Sequence, residues 1–208
     1  MYMHQHGQIK LGSISTSQKE IHDLIKAWVA LSLAFAILLG GSLFSPNFLV
    51  FFAISGLTVG VGFIFHELAH KVVAQKYGCF AEFRSFDSML VFAILMSFFG
   101  FLFAAPGAVM IHGPVGVRRN GKIAVAGPLA NLVIALGFVG LFFVPIVGLH
   151  GLARYGFMIN TWLALFNMIP FGQFDGKKIL AWNRVVYGFV VGVSILFLYG
   201  NIIIGEVL

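Results

Sequence analysis

The chain has 208 residues, of which 60% are hydrophobic and 10% charged, with 13 Lys plus Arg against 7 Asp plus Glu and a mean hydropathy of +0.98. Soluble domains carry roughly a quarter charged residues, so this composition excludes an ordinary water-soluble domain. At about 20 apolar residues per helical span, the length predicts a single integral membrane domain over 1–208, with short loops and no separate soluble domain.

The formal charge of +6 is scattered among apolar stretches and forms no run that could track phosphates, so nucleic acid is not an expected partner. The single cysteine, Cys79, excludes an internal disulfide and a Cys-based zinc site.

Residues 1–23 are mostly polar and are expected on the cytoplasmic side. Ser17 and Glu20 have the spacing of a capping box, in which hydroxyl and carboxylate satisfy free amides at a helix start. Six apolar stretches follow: 27–44, 48–65, 88–105, 123–147, 155–171 and 185–204. The first is too long for the core of a cleaved signal peptide and reads as a retained helix. Ser45-Pro46-Asn47 predicts a turn into the second stretch, and Tyr77-Gly78 a helix stop, because glycine accepts the left-handed conformation there. Gly56 and Gly60 form a G-x-x-x-G pair suited to close helix packing inside the chain.

Basic residues accumulate in cytoplasmic loops. If all six stretches cross, the thirteen Lys and Arg divide seven against six and show no bias. If 88–105 enters and returns on the same side before 123, twelve lie inside and only Arg154 outside. The expectation is therefore five crossings plus a re-entrant helix-strand unit at 88–117. An eighteen-residue helix rises about 27 Å; Pro106-Gly107 breaks it, and seven extended residues return about 23 Å. Non-helical backbone at membrane depth is tolerated where it is buried in protein or lines a wet cavity, so the unit is expected to border an interior site.

The second stretch runs into His66-Glu67-Leu68-Ala69-His70. Histidines four apart share a helix face and can hold one zinc ion, with Glu67 placed to act on a water. An ionisable trio at this depth marks a functional site. A catalytic zinc takes a third protein ligand, and the candidates are Glu82, Asp87, Asp175, His112 and His150, with Glu20, Asp23, His4, His6 and His22 further upstream. Asp175 stands out, because Pro170, Gly172 and Gly176 free the backbone just past a span. In the five-crossing arrangement Asp175 reaches the depth of His66; in the six-crossing one they end about 30 Å apart.

These residues resemble the site-2 protease family of intramembrane zinc metalloproteases, in its compact prokaryotic form without a PDZ or CBS domain. The resemblance rests on His66-Glu67-Leu68-Ala69-His70, Ala126-Gly127-Pro128-Leu129-Ala130-Asn131, and Asn167 and Pro170 through Asp175-Gly176. It implies one zinc ion per chain held by His66, His70 and Asp175, with Glu67 as catalytic base. It also implies a membrane all-α fold: a polytopic helical core with a small β-element near the active site. Two positions depart from the usual pattern: Gln173, where a second proline is common, and Lys177, where a second glycine is common.

The reaction implied is hydrolysis of peptide bonds in or near transmembrane segments of protein substrates, with the active site toward the cytoplasm. Asn131 and Asn167 are candidates to stabilise an oxyanion or position substrate, or to tie helices together by hydrogen bonds. A membrane helix must unwind to be cut, and 80–84 and 108–112 are candidate edges for capturing it by strand addition. Two other readings stay open: a metal-ion transporter and a catalytically silent membrane scaffold.

Overall fold

The structure is a computed structural model that describes residues 8–207 apart from 13, 41, 103, 104 and 147; the side chains of 8, 11 and 201–207 are also outside the description. His4 and His6 lie outside the described residues.

The fold is mostly helical. A hairpin of β1 (Gln8–Leu11) and β2 (Ile14–Ser17) leads into α1 (Gln18–Gly40), and α2 (Phe48–Ser55) continues through a π-helical turn at Gly56–Gly60 into α3 (Val61–Lys76). Then come β3 (Phe80–Ser85), α4 (Asp87–Ser97), β4 (Gly107–His112), α5 (Val117–Leu141), α6 (Leu149–Asn167), α7 (Asp175–Trp182) and α8 (Arg184–Val207). Among the described residues, Gln18–Gly40, Phe48–Lys76 and Val117–Leu141 are long and apolar enough to cross a membrane. The stretch 155–171 is helical as far as Asn167, within α6, and 185–204 lies within α8, but neither helix has that combination of length and hydropathy over the described residues.

Close packing of α1 on the π-helical turn explains the glycine pair. A Cβ on Gly60 would lie 2.3 Å from the Trp28 ring, and Trp28 Nε1–H donates to Gly56 O at 3.0 Å. The pair therefore serves packing within the chain.

Start and stop signals operate where the residues predict, with one difference. Ser17 Oγ accepts from the Glu20 N–H at 3.2 Å, but the Glu20 carboxylate does not return the bond that a capping box requires. It is fully buried, where it pairs with the Lys71 ammonium and accepts from Thr16 Oγ1 at 2.7 Å and from the Phe83 N–H at 2.9 Å. A buried ammonium is a stronger partner than a terminal amide, so the carboxylate turns inward. Gly78, at φ +75°, ends α3: its N–H bonds Gln75 O and the Cys79 N–H bonds Ala74 O, the paired bonds of a Schellman stop.

The same motif shortens the helix expected over 88–105. Gly100, at φ +74°, closes α4 with Gly100 N–H to Ser97 O and Phe101 N–H to Met96 O. Eleven residues rise about 16 Å instead of 27. β4 then runs antiparallel to β3, with Phe83 opposite Val109. The N–H groups of this pair point away from each other, Phe83 to Glu20 and Val109 to Glu67, which marks a non-hydrogen-bonded position of the ladder. The small β-element thus rests against α1 on one side and the metal-site helix α3 on the other.

Candidate metal centre

His66 and His70, both buried, lie one turn apart on α3, and Asp175, also buried, opens α7. Asp175 Oδ2 is 3.3 Å from His66 Nε2 and 2.9 Å from His70 Nε2, and the two Nε2 atoms are 3.0 Å apart. Among the described residues this is the one group of three or more His, Cys, Asp or Glu side chains able to hold a metal ion.

The outward nitrogens of both rings are already committed. His66 Nδ1 lies 2.6 Å from Asn131 Oδ1, and His70 Nδ1 lies 2.8 Å from Ile123 O. Both partners are acceptors, so each Nδ1 carries the proton and each Nε2 turns a lone pair inward. Two lone pairs and a carboxylate oxygen converging at about 3 Å repel one another unless a metal cation or a shared proton sits among them. The donor set of two imidazoles and one carboxylate suits zinc.

Backbone proximity makes room for this arrangement. Gly127 on α5 faces the imidazoles, and a Cβ there would lie 2.4 Å from His70 Nε2 and 2.5 Å from His66 Nε2. Gly176 packs on the preceding loop, where a Cβ would lie 2.1 Å from Met168 O. Glycine at 127 allows α5 to close on α3, and glycine at 176 allows the start of α7 to close on the end of α6.

Glu67 is buried beside the ligands, with Oε2 accepting from the Val109 N–H at 3.2 Å. Glu67, the ligands and β4 line a cavity of about 600 Å³ that Trp162 and Phe166 of α6 also line. The arrangement has the parts of metal-assisted hydrolysis: a ligand triad, a carboxylate beside it and room for an extended apolar segment.

The chain is 43% identical over 179 residues to a provisionally named zinc metalloprotease of Methanocaldococcus jannaschii, an alignment that covers 84% of this chain and 90% of the relative. The chain belongs to this zinc metalloprotease family. A second relative with the same provisional name, from Bacillus subtilis, is 30% identical over 60% of this chain and 66% of its own length. A further zinc metalloprotease of M. jannaschii is 27% identical over 75% of this chain, which spans 41% of that relative. No protein-family profile and no solved structure matches the chain.

The other residues raised as ligands in this family member sit elsewhere. Glu82 pairs with Arg84, His112 packs against Phe80 and His150 against Phe142. Glu20 is tied to Lys71, while Asp23 is buried between Lys19 and Lys26, with His22 beside it. Asp87 is exposed, and its hydrogen bond from Lys26 at 2.5 Å holds its carboxyl below the ordinary value.

Asn131 and Asn167 take different places. Asn131 is fully buried; its amide donates to Gly62 O and Asn160 Oδ1, each at 3.1 Å, so both N–H groups are used and its oxygen orients His66. These bonds tie α5 to α3 and α6. Asn167 lines the cavity and donates one N–H to Leu163 O at 2.8 Å.

Sequence reasoning missed Asn160 and Lys178. Asn160 backs Asn131 and is itself held by Gly156 O and Thr58 O; the available signal was an amide inside an otherwise apolar helix. Lys178 Nζ lies 3.2 Å from Asp175 Oδ1, and its signal was the i,i+3 spacing from the aspartate.

Proposed function

We propose that the protein is a site-2 protease-like intramembrane metalloprotease that hydrolyses peptide bonds in or near transmembrane segments of other membrane proteins. The observation that carries this reading is the meeting of Asp175, which opens the short helix α7, with His66 and His70 beside Glu67 on a helix long and apolar enough to cross a membrane. That meeting supports the five-crossing, multi-pass arrangement, since an extra crossing would part Asp175 from His66 by a membrane thickness. The basic residues then put the N-terminus and the site toward the cytoplasm.

His66, His70 and Asp175 hold one zinc ion, which when bound makes a water nucleophilic near neutral pH and polarises the scissile carbonyl. Glu67 takes the proton from the attacking water and passes it to the leaving amine. Asn167 has an N–H left to stabilise the developing oxyanion.

Substrate enters as an extended strand along β4. The outer edge of β3 is occupied, since its Phe83 N–H is bonded to Glu20 and its Ala81 carbonyl accepts from Gln75 Nε2 at 3.1 Å. The outer edge of β4 instead lines the cavity at Gly107, Val109 and Ile111, where the Val109 N–H meets the Glu67 carboxylate. This asymmetry favours 108–112 over 80–84 as the edge that captures unwound substrate.

The test pairs metal content with cleavage of a membrane-helix substrate by protein purified in detergent. Wild type carries about one zinc per chain, His66→Ala and Asp175→Ala lose metal and cleavage, and Glu67→Gln keeps zinc but does not cleave. Zinc-independent ion flux in liposomes, or cleavage that persists in pure Glu67→Gln protein, would overturn the reading.

A further inference from the structure

Resting on the metal site proposed above, we propose that Lys178 is a positioning residue for the ligand Asp175, holding its carboxylate so that a single oxygen faces the imidazoles.

The two oxygens of Asp175 have different surroundings. Oδ2 faces His66 and His70 at 3.3 and 2.9 Å, while Oδ1 faces the Lys178 ammonium at 3.2 Å. A carboxylate with no partner on its second oxygen is free to turn either oxygen, or both, toward a metal. A charge-assisted hydrogen bond selects one orientation.

The first turn of α7 fixes the pair. Ile179 is fully buried beneath it and Gly176 is pressed on Met168 O, so the i,i+3 spacing of Asp175 and Lys178 is set by backbone. The Lys178 side chain is 41% exposed, and an ion pair of that exposure contributes little to folding. Its effect therefore falls on the ligand. Lys177, one residue earlier, is exposed and serves as the control.

Outer-shell partners of metal ligands typically change metal affinity by about 10–100-fold when removed. The experiment measures zinc affinity of the full chain in detergent by competition with a chromogenic chelator, alongside thermal unfolding of the zinc-free protein. Lys178→Met weakens zinc binding about tenfold or more, Lys178→Arg restores it because a charged donor remains, and Lys177→Met binds as wild type. Unfolding of the zinc-free protein is the same in all. Lys178→Ala takes the place of the Met variant should that one fail to express. Zinc affinity in Lys178→Met equal to wild type overturns the proposal. His66→Ala separates the two failures: if it too binds zinc as wild type, the metal site itself is misplaced, whereas loss in His66→Ala alone leaves the site standing and removes only the role of Lys178.

Discussion

Asn131 Oδ1 lies 2.6 Å from His66 Nδ1, a hydrogen bond that joins α5 to α3 and sets which nitrogen of the ligand faces inward. The same amide is anchored through Asn160 to α6, so three helices converge on the orientation of one imidazole. Asn131→Ala is expected to weaken zinc binding about 10–100-fold. Asn160→Ala is expected to act in the same direction and by less, as it works only through Asn131. Chelator competition measures both, and unaltered affinity in Asn131→Ala would show that His66 needs no such support.

Gly127→Ala places a methyl group where the imidazoles stand. Its Cβ falls 2.4 Å from His70 Nε2, nearer than nonbonded atoms approach. Either α5 retreats or the rings turn away, and zinc content and cleavage fall together. Gly137, on the same helix with open space at its Cβ, is the comparison: Gly137→Ala keeps both.

The Glu20 and Lys71 pair is fully enclosed, with side-chain exposures of 0% and 2%. Removing one partner of such a pair leaves a buried charge alone and costs about 3–5 kcal/mol. Lys71→Met is therefore strongly destabilising by denaturant unfolding in detergent micelles. Lys71→Met with Glu20→Gln recovers part of the loss, since no lone charge remains and the glutamine oxygen still accepts from Phe83. Equal stability of the single and double variants would show that the charges do not interact.

Ile111→Pro probes the β4 edge. Ile111 shares the outward-facing set of Val109, two residues away, and proline is tolerated on an edge where the N–H does not serve the ladder. Zinc content stays at the wild-type level, while the KM for a helical membrane substrate rises several-fold. The converse result, an unchanged KM, would remove the strand-addition route.

The chemistry was legible in the residues to an unusual depth. His66, Glu67 and His70 announce themselves because helical periodicity alone puts two imidazoles on one face. The stops at Gly78 and the turn at Ser45-Pro46-Asn47 were readable for the same local reason: the Phe48 N–H bonds Ser45 O at 3.0 Å, as a tight turn requires. Asp175 was singled out by Pro170, Gly172 and Gly176 around it, which free the backbone from helix just past an apolar stretch.

What local pattern could not supply was partner choice. Ser17 and Glu20 carry a capping-box spacing, yet the carboxylate is drawn to Lys71, 51 residues away. The helix over 88–105 stops at Gly100 because a left-handed glycine can end a run that hydropathy alone would continue. Asn131 offered two roles, and only the approach of Gly62 and Asn160 consumed its donors. The sequence by itself determined the paired imidazoles of His66 and His70, the carboxylate of Glu67 beside them and the apolar character of the helices, since these follow from short-range periodicity and composition. Tertiary structure decided the Nδ1 partners of the two histidines and the meeting of Asp175 with them, because each depends on contacts between segments that only the folded helices bring together.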